Sequence, residues 1–236
     1  MNQFQRTALL LGEDNIEKLN NKTVAIFGVG GVGGYVCEAL ARTGVGHFVL
    51  VDNDKVSLTN INRQIIATHD SIGMPKVDAC KKRILSINPN ATVEVYNTFL
   101  LPENSNIFDF KKYDYAIDCV DTVTAKIEII LKAEEAGINV ISSMGAGNKL
   151  DPQAFKACDI YKTDTDPLAR VMRYELRKRG VKKLKVVYST EKPIAVDSTS
   201  IDEDKGVRRA LPGSNAWVPA SCGLLIASEV IKDLIK

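Results

Sequence analysis

Between the apolar run Val24-Ala25-Ile26-Phe27 and the helix-forming stretch Glu38-Ala39-Leu40-Ala41-Arg42 lies a loop made of glycine and valine alone, Gly28-Val29-Gly30-Gly31-Val32-Gly33-Gly34. An apolar strand that feeds a glycine turn opening a helix is the phosphate cradle of a nucleotide-binding βαβ unit. Gly28 permits the tight turn off the strand. Gly30 has no Cβ, so backbone amides can close on phosphate oxygens, and Gly33 lets the helix pack on the sheet. The helix N-terminus adds unpaired N–H donors and partial positive charge. Asp52 follows Gly33 by nineteen residues and ends the next apolar run, His47 to Val51, where a carboxylate can accept ribose hydroxyls. The loop alone does not choose the nucleotide, and a bare strand–helix turn remains an alternative.

The rest of the chain alternates in the same way. A helical arm is expected over 2–19, with Leu9, Leu10, Leu11, Ile16 and Leu19 available for packing. Strands are expected at 23–27, 48–52, 92–97, 115–119 and 139–142, with helices at 31–43, 75–87 and 123–136. Pro75 suits a first helical turn and Gly137 a helix end. This alternation implies an α/β fold: a Rossmann-like, doubly wound, mostly parallel sheet. Further strands (154–162, 185–189), a basic helix (167–178) and a C-terminal helix (219–235) extend it. The whole chain, 1–236, reads as one domain: an arm (1–20), a nucleotide-binding core (21–150) and an extension (151–236) whose segment 190–214 lacks periodicity and is expected to be a mobile loop. In such sheets ligands sit beyond the carboxyl ends of the strands, and Gly28 to Gly34, Asp52, Asp121 and Met144-Gly145 all fall there.

Composition narrows the function by exclusion. The chain has only two histidines, so a multi-histidine metal site is ruled out. Its five cysteines, at 37, 80, 119, 158 and 222, form no C-x-x-C pair, so no structural zinc is expected, and their odd number in a cytosolic-looking chain argues against a disulfide framework. No apolar run is long enough for a membrane span, and the polar start lacks a secretory core, which reads as a cytoplasmic protein without a membrane partner.

Past the glycine loop stand Asn60-Ile61-Asn62-Arg63-Gln64, then Lys76, then Asp118-Cys119-Val120-Asp121. Hydride transfer needs no such cluster. Breaking a triphosphate does: Arg63 and Lys76 could neutralise departing pyrophosphate, and Asp121 could hold the magnesium that bridges its oxygens. Taken singly, Arg63 and Lys76 also read as surface charges and Asp121 as a helix N-cap. Their order along one rim favours the site.

These stretches carry a resemblance. GVGGVGG at 28–34, VDNDKVSLTNINRQ at 51–64, Pro75-Lys76, INPN at 87–90 and DCVDTV at 118–123 resemble the ThiF/MoeB/HesA family, relatives of the ubiquitin-activating enzymes. The resemblance implies adenylation, in which a substrate carboxylate attacks the α-phosphate of ATP and pyrophosphate leaves. It implies Gly28, Gly30, Gly31 and Gly33 at the phosphates, Asp52 and Asp54 near the ribose, and Asn60, Arg63, Gln64 and Lys76 at the phosphates, with magnesium at Asp121. It also implies that Arg6, the only arginine before the glycine loop, reaches into the site of a partner subunit, hence a homodimer.

Within that family, the second half is similar to the branch that dehydrates threonylcarbamoyladenosine in tRNA. The stretches are Thr7-Ala8, Ala41-Arg42-Thr43-Gly44, Gly145-Ala146-Gly147, Asp166-Pro167-Leu168-Ala169, Tyr188-Ser189-Thr190-Glu191 and Ala220-Ser221-Cys222-Gly223. That resemblance implies a catalytic or thiol-transfer role for Cys222 and a cysteine desulfurase or sulfur-acceptor partner. The residues support an RNA partner independently: between 170 and 185 there are eight basic residues (Arg170, Arg173, Arg177, Lys178, Arg179, Lys182, Lys183, Lys185) against one acid, Glu175. A solvated helix face is the plainer reading of that run. Met144, Tyr161 and Tyr188 are the candidates for base recognition, and Cys37, Cys80, Cys119 and Cys158 read as packing residues. Two other functions stay open: activation of a ubiquitin-like or sulfur-carrier protein, and an NAD-binding oxidoreductase.

Overall fold

A computed structural model describes residues 2–196, 201–202, 207–208 and 212–236. Two short helices, α1 (Gln5–Leu11) and α2 (Glu13–Asn20), precede the sheet. The core alternates β1 (Thr23–Phe27), α3 (Gly33–Thr43), β2 (His47–Val51), α4 (Lys76–Ile87), β3 (Thr92–Tyr96), β4 (Tyr115–Asp118), α5 (Val123–Ala136) and β5 (Asn139–Ser143). Then follow β6 (Phe155–Asp159), α6 (Pro167–Lys178), β7 (Lys185–Ser189), the two-residue strands β8 (Ile201–Asp202) and β9 (Val207–Arg208), and α7 (Trp217–Leu234). The main sheet has the order β3-β2-β1-β4-β5-β7-β6. Every neighbouring pair is parallel except β6 with β7. The α/β expectation holds, and the chain reverses order between β1 and β4, beyond whose ends the glycine loop lies.

The central strands are apolar on both faces because both faces are covered. Alternate residues of β1 enter opposite cores: Val24 and Ile26 join α3, α4 and α7, whereas Ala25 and Phe27 join Phe108, Phe110, Tyr113 and α5. Phe27 stacks on Phe110 with ring centroids 5.5 Å apart. A third cluster joins α5, α6 and β7 through Ile130, Met172, Leu176 and Val186. The eighteen-residue α7 lies against α3, burying Val218, Cys222, Ile226 and Val230. Each of the valine and isoleucine side chains contributes about 1.5–3 kcal/mol when fully buried, so α7 closes the fold.

Three expectations change. The arm is not one helix: Gly12, at φ +88°, breaks it, and Leu9 and Leu10 point to solvent while Ile16 and Leu19 are buried. The strand expected over 154–162 is only Phe155–Asp159, flanked by 3-10 turns at 152–154 and 160–162. The loop expected over 190–214 falls in good part outside the described residues; the backbones of β8 and β9 within it pair antiparallel. No helix among the described residues is long and apolar enough to cross a membrane.

Candidate active site

The glycine loop and the turn after β4 meet backbone to backbone. Gly28 has φ +86°, and a Cβ there would lie 2.8 Å from the Cys119 carbonyl oxygen. A Cβ on Gly33 would collide with the Gly28 carbonyl oxygen. Neither position tolerates a side chain, so the loop must hold this shape. Gly30 differs: the nearest atom to a Cβ there would be Gln64 Nε2, at 3.7 Å, so the space above it is a cradle floored by an amide donor. Gln64 is only 6% exposed, and its Oε1 lacks a hydrogen-bond partner among the described residues. An orphaned buried acceptor costs about 1–3 kcal/mol, and a donor-bearing ligand such as a nucleotide would supply the missing partner.

Asp52 ties two loops together. Its Oδ2 accepts from the Val29 amide at 2.9 Å and its Oδ1 from the Asp54 amide at 2.9 Å, leaving lone pairs for ribose hydroxyls. Burial raises its pKa above the ordinary carboxylate value, while the Lys76 charge and the two amides pull it down. Lys76 opens α4, where its amide donates to the Asp54 carbonyl and its Nζ lies 2.8 Å from Asp54 Oδ2. The ammonium is therefore buried yet held beside the loop by a half-exposed carboxylate. Arg63 donates from Nη1 to the Thr59 carbonyl and Asn62 Oδ1, at 2.8 and 2.9 Å. Its Cγ lies 3.8 Å from where a Gly31 Cβ would sit, and burial lowers its pKa. Asn60 Oδ1 accepts from the Ser57 amide at 3.2 Å and builds the turn that presents Arg63.

Asp121 follows β4 on the exposed rim. The N-cap of α5 is Thr122, and Asp121 instead accepts from the Thr122 hydroxyl at 3.2 Å, so capping does not account for it. Behind it lies a group that the pattern of the sequence does not announce. Asp118 Oδ2 accepts from Lys126 Nζ at 3.0 Å and from the Ser142 hydroxyl, and its Oδ1 accepts from the Val120 amide at 3.2 Å. Lys126 and Asp118 are both 0% exposed. One clue does exist: in α5 Lys126 shares a helical stripe with the buried Ile129, Ile130 and Ala133. A second buried pair, Lys149 with Asp166 at 3.1 Å, links the loop after β5 to the start of α6. Asp166 also caps that helix through the Ala169 amide.

The remaining candidates lie away from this rim. Cys222 lies inside α7, fully buried against the Ser143 hydroxyl at 3.4 Å. Burial pushes its thiol up to about 11, against the thiolate that a chemical role would use. Met144 and Tyr188 are core residues, and Tyr161 donates its hydroxyl to the Val181 carbonyl. Arg6 sits in α1, whose preceding residue Phe4 rests on Gly44 at the far end of α3. That helix is about 16 Å long, so Arg6 is remote from its own chain's glycine loop.

The basic segment divides. Lys185 lies at the opposite end of the sheet, paired with Glu229 and Asp233, and Arg179 pairs with Glu175. Arg173 bonds to Thr163. Arg170, Arg177, Lys178, Lys182 and Lys183 remain on the surface, with Arg177 over the Tyr161 ring and Lys178 over Tyr174.

The site thus joins the glycine loop, Asp52, Asp54, Arg63, Gln64 and Lys76, with Asp121 two residues beyond the turn that seats Gly28. Such a rim can bind a nucleotide and neutralise its phosphates. The family model described as the ThiF family matches residues 4–236. The chain is 45% identical to the tRNA threonylcarbamoyladenosine dehydratase of Bacillus subtilis (strain 168), over 100% of the chain and 96% of that protein. It superposes with a TM-score of 0.88 and 33% identity on the crystal structure of the E. coli tRNA N6-threonylcarbamoyladenosine dehydratase in complex with ATP, covering 99% of this chain and 93% of that one. The same enzyme in complex with AMP gives a TM-score of 0.89 at 34% identity, covering 99% and 94%.

Proposed function

The chain belongs to the ThiF family, and from that premise we propose that it is an ATP-dependent dehydratase acting on threonylcarbamoyladenosine in tRNA. The observation that carries this reading is the full-length likeness to dehydratases of that name, joined to a glycine cradle whose neighbouring acceptor, Gln64 Oε1, lacks a partner among the described residues. The carboxylate of the threonyl group attacks the α-phosphorus of ATP. A carboxyl-oxygen-to-phosphorus bond forms, the bond to the bridging oxygen breaks, and pyrophosphate leaves. The neighbouring carbamoyl group then closes on the activated carbonyl carbon, expelling AMP and a proton. The net change in the nucleoside is the loss of one water. Closure is intramolecular and needs no covalent enzyme intermediate, which agrees with a Cys222 thiol held neutral in the core.

Each residue has a part in that scheme. Glycine-loop amides and Gln64 Nε2 face the phosphates, Asp52 accepts from the ribose, and Arg63 and Lys76 offset charge that gathers on the leaving pyrophosphate. Asp121 would hold a magnesium ion, which would supply further positive charge against the departing pyrophosphate. Among the described residues no three His, Cys, Asp or Glu side chains cluster around a metal position.

The exposed leucines of α1, Leu9 and Leu10, and the distance of Arg6 from its own glycine loop support a homodimer in which Arg6 serves the partner's site. Arg170, Arg177, Lys178, Lys182 and Lys183 support tRNA phosphate contacts along α6 and the segment after it. A cytoplasmic location suits a tRNA substrate, and a sulfur-relay partner has no support from the buried thiols. The test is pyrophosphate release with purified protein and ATP–magnesium. Release is expected with threonylcarbamoylated tRNA, and not with unmodified tRNA or a carrier protein ending in Gly-Gly. The reverse pattern would favour carrier activation.

A further inference from the structure

The only tryptophan of the chain has no part in the scheme above. Trp217 opens α7 and is 50% exposed. A half-exposed indole presents a flat apolar surface on which a planar group can stack. Its orientation is fixed: the indole N–H donates to the Leu150 carbonyl at 2.8 Å. The segment that carries it is fastened to the loop after β5. Asn215 Nδ2 donates to the Lys149 carbonyl at 2.9 Å, and Asn215 Oδ1 accepts from the Val218 amide. Asn148 and Gly213 exchange bonds in both directions.

The surroundings place this ring between the two halves of the site. One way, Pro219 Cβ lies 3.4 Å from where a Gly31 Cβ would sit, and Asn62, next to Arg63, donates to the Ser214 carbonyl. The other way, Lys149 joins Asp166, the cap of α6, whose first exposed basic residue is Arg170. A chain of contacts therefore runs from the phosphate loop through Trp217 to the start of the basic helix. Leu150, also exposed, extends the apolar surface beside the indole.

We propose that Trp217 is a stacking platform for an unpaired RNA base, one next to the adenosine being modified. The proposal rests on the tRNA reading given above and deepens it. The segment that carries the ring is bonded both to the turn of Arg63, through Ser214, and to the loop that leads to α6, through Leu150, so an RNA held at both places would pass close to it. Loop bases are unstacked and take aromatic faces readily. The surface charge of α6 favours a polyanion over a second copy of this chain as the occupant.

Because there is one tryptophan, its fluorescence reports this position alone. The experiment titrates the protein with an anticodon stem-loop RNA carrying threonylcarbamoyladenosine, and separately with a non-hydrolysable ATP analogue. The RNA quenches the emission saturably, and the analogue alone does not reproduce that curve. Trp217→Ala raises the KM for modified tRNA by about 5- to 150-fold, the range for losing one stacked base. Binding of ATP is unchanged, and Trp217→Phe, which keeps a ring but loses the bond to Leu150, retains most of the affinity. Emission indifferent to RNA, or a Phe variant as impaired as Ala, overturns the platform. So does emission that changes with protein concentration alone, which would assign the ring to a subunit contact. AMP formed from modified tRNA without quenching defeats the platform only; quenching without AMP defeats the dehydratase reading only.

Discussion

Asp118 and Lys126 meet at 3.0 Å in a place where neither side chain is exposed, directly behind the turn that seats Gly28 and leads to Asp121. The carboxylate also accepts from the Val120 amide and the Ser142 hydroxyl, so one buried pair sets the path of the backbone under the active rim. Removing one partner leaves the other charge uncompensated. Lys126→Met is expected to lower unfolding free energy by about 3–5 kcal/mol. The double variant Asp118→Asn with Lys126→Met recovers part of that loss. Urea unfolding checks it: a single variant as stable as the parent would show that the pair does not organise this turn.

At the rim itself the effect should fall on chemistry and not on folding. Asp121 is exposed and bonded only to Thr122 among the described residues, so Asp121→Ala leaves stability within about 0.5 kcal/mol. Formation of AMP falls about 100- to 1,000-fold. Thermal melts and AMP assays measure the two, and full activity in the variant would remove the metal from Asp121.

For Cys222 the expectation is the opposite. A fully buried thiol pushed up to about 11 is neutral at physiological pH and closed to reagents. Cys222→Ala is expected to keep AMP formation within about twofold while losing roughly 1 kcal/mol of stability to the small cavity. A folded variant without activity would restore a chemical role to the sulfur.

Acid stability should depend on a corner far from the site. At Asp233, burial works against ionisation, yet bonds from Lys185, Lys236 and Tyr115 draw the carboxyl down to about 2. The unfolded chain titrates near the ordinary aspartate value of about 3.9. A depressed folded value stabilises above the unfolded one and is lost as pH falls through the folded one. The contribution is therefore complete above about pH 4 and fades towards pH 2. Asp233→Asn flattens the acid limb of stability in that window; an unchanged limb would place the acid sensitivity elsewhere.

On α6, Arg170→Glu with Lys178→Glu is expected to weaken tRNA binding uniformly across tRNA sequences and to reduce the salt slope by about one for each phosphate no longer neutralised. Affinity measured over a salt series decides this. A slope that does not change would move the RNA surface off this helix.

Much of the architecture is legible because the chain states it locally. The glycine loop, Asp52 and the Pro75-Lys76 helix start are short-range signals, and each stands where the spacing places it. What is illegible depends on depth and direction. Periodicity cannot tell that β6 runs antiparallel to β7, because strand polarity leaves no trace in alternation. Cys222 gains a chemical role from the stretch Ala220-Ser221-Cys222-Gly223, but it lies five residues into α7 and its sulfur faces the core. Lys126 resembles one more surface lysine although it sits on the apolar stripe of α5, and Lys185 counts with the basic run although its partners lie at the opposite end of the sheet.

The central claim is that this rim turns a threonyl carboxylate into an electrophile at the expense of ATP. It is tested by digesting threonylcarbamoylated tRNA after incubation with protein, ATP and magnesium, and weighing its nucleosides while counting AMP. The account predicts that the modified adenosine becomes lighter by one water, with one AMP formed per nucleoside converted. An unchanged nucleoside mass, or ADP as the nucleotide product, would contradict it.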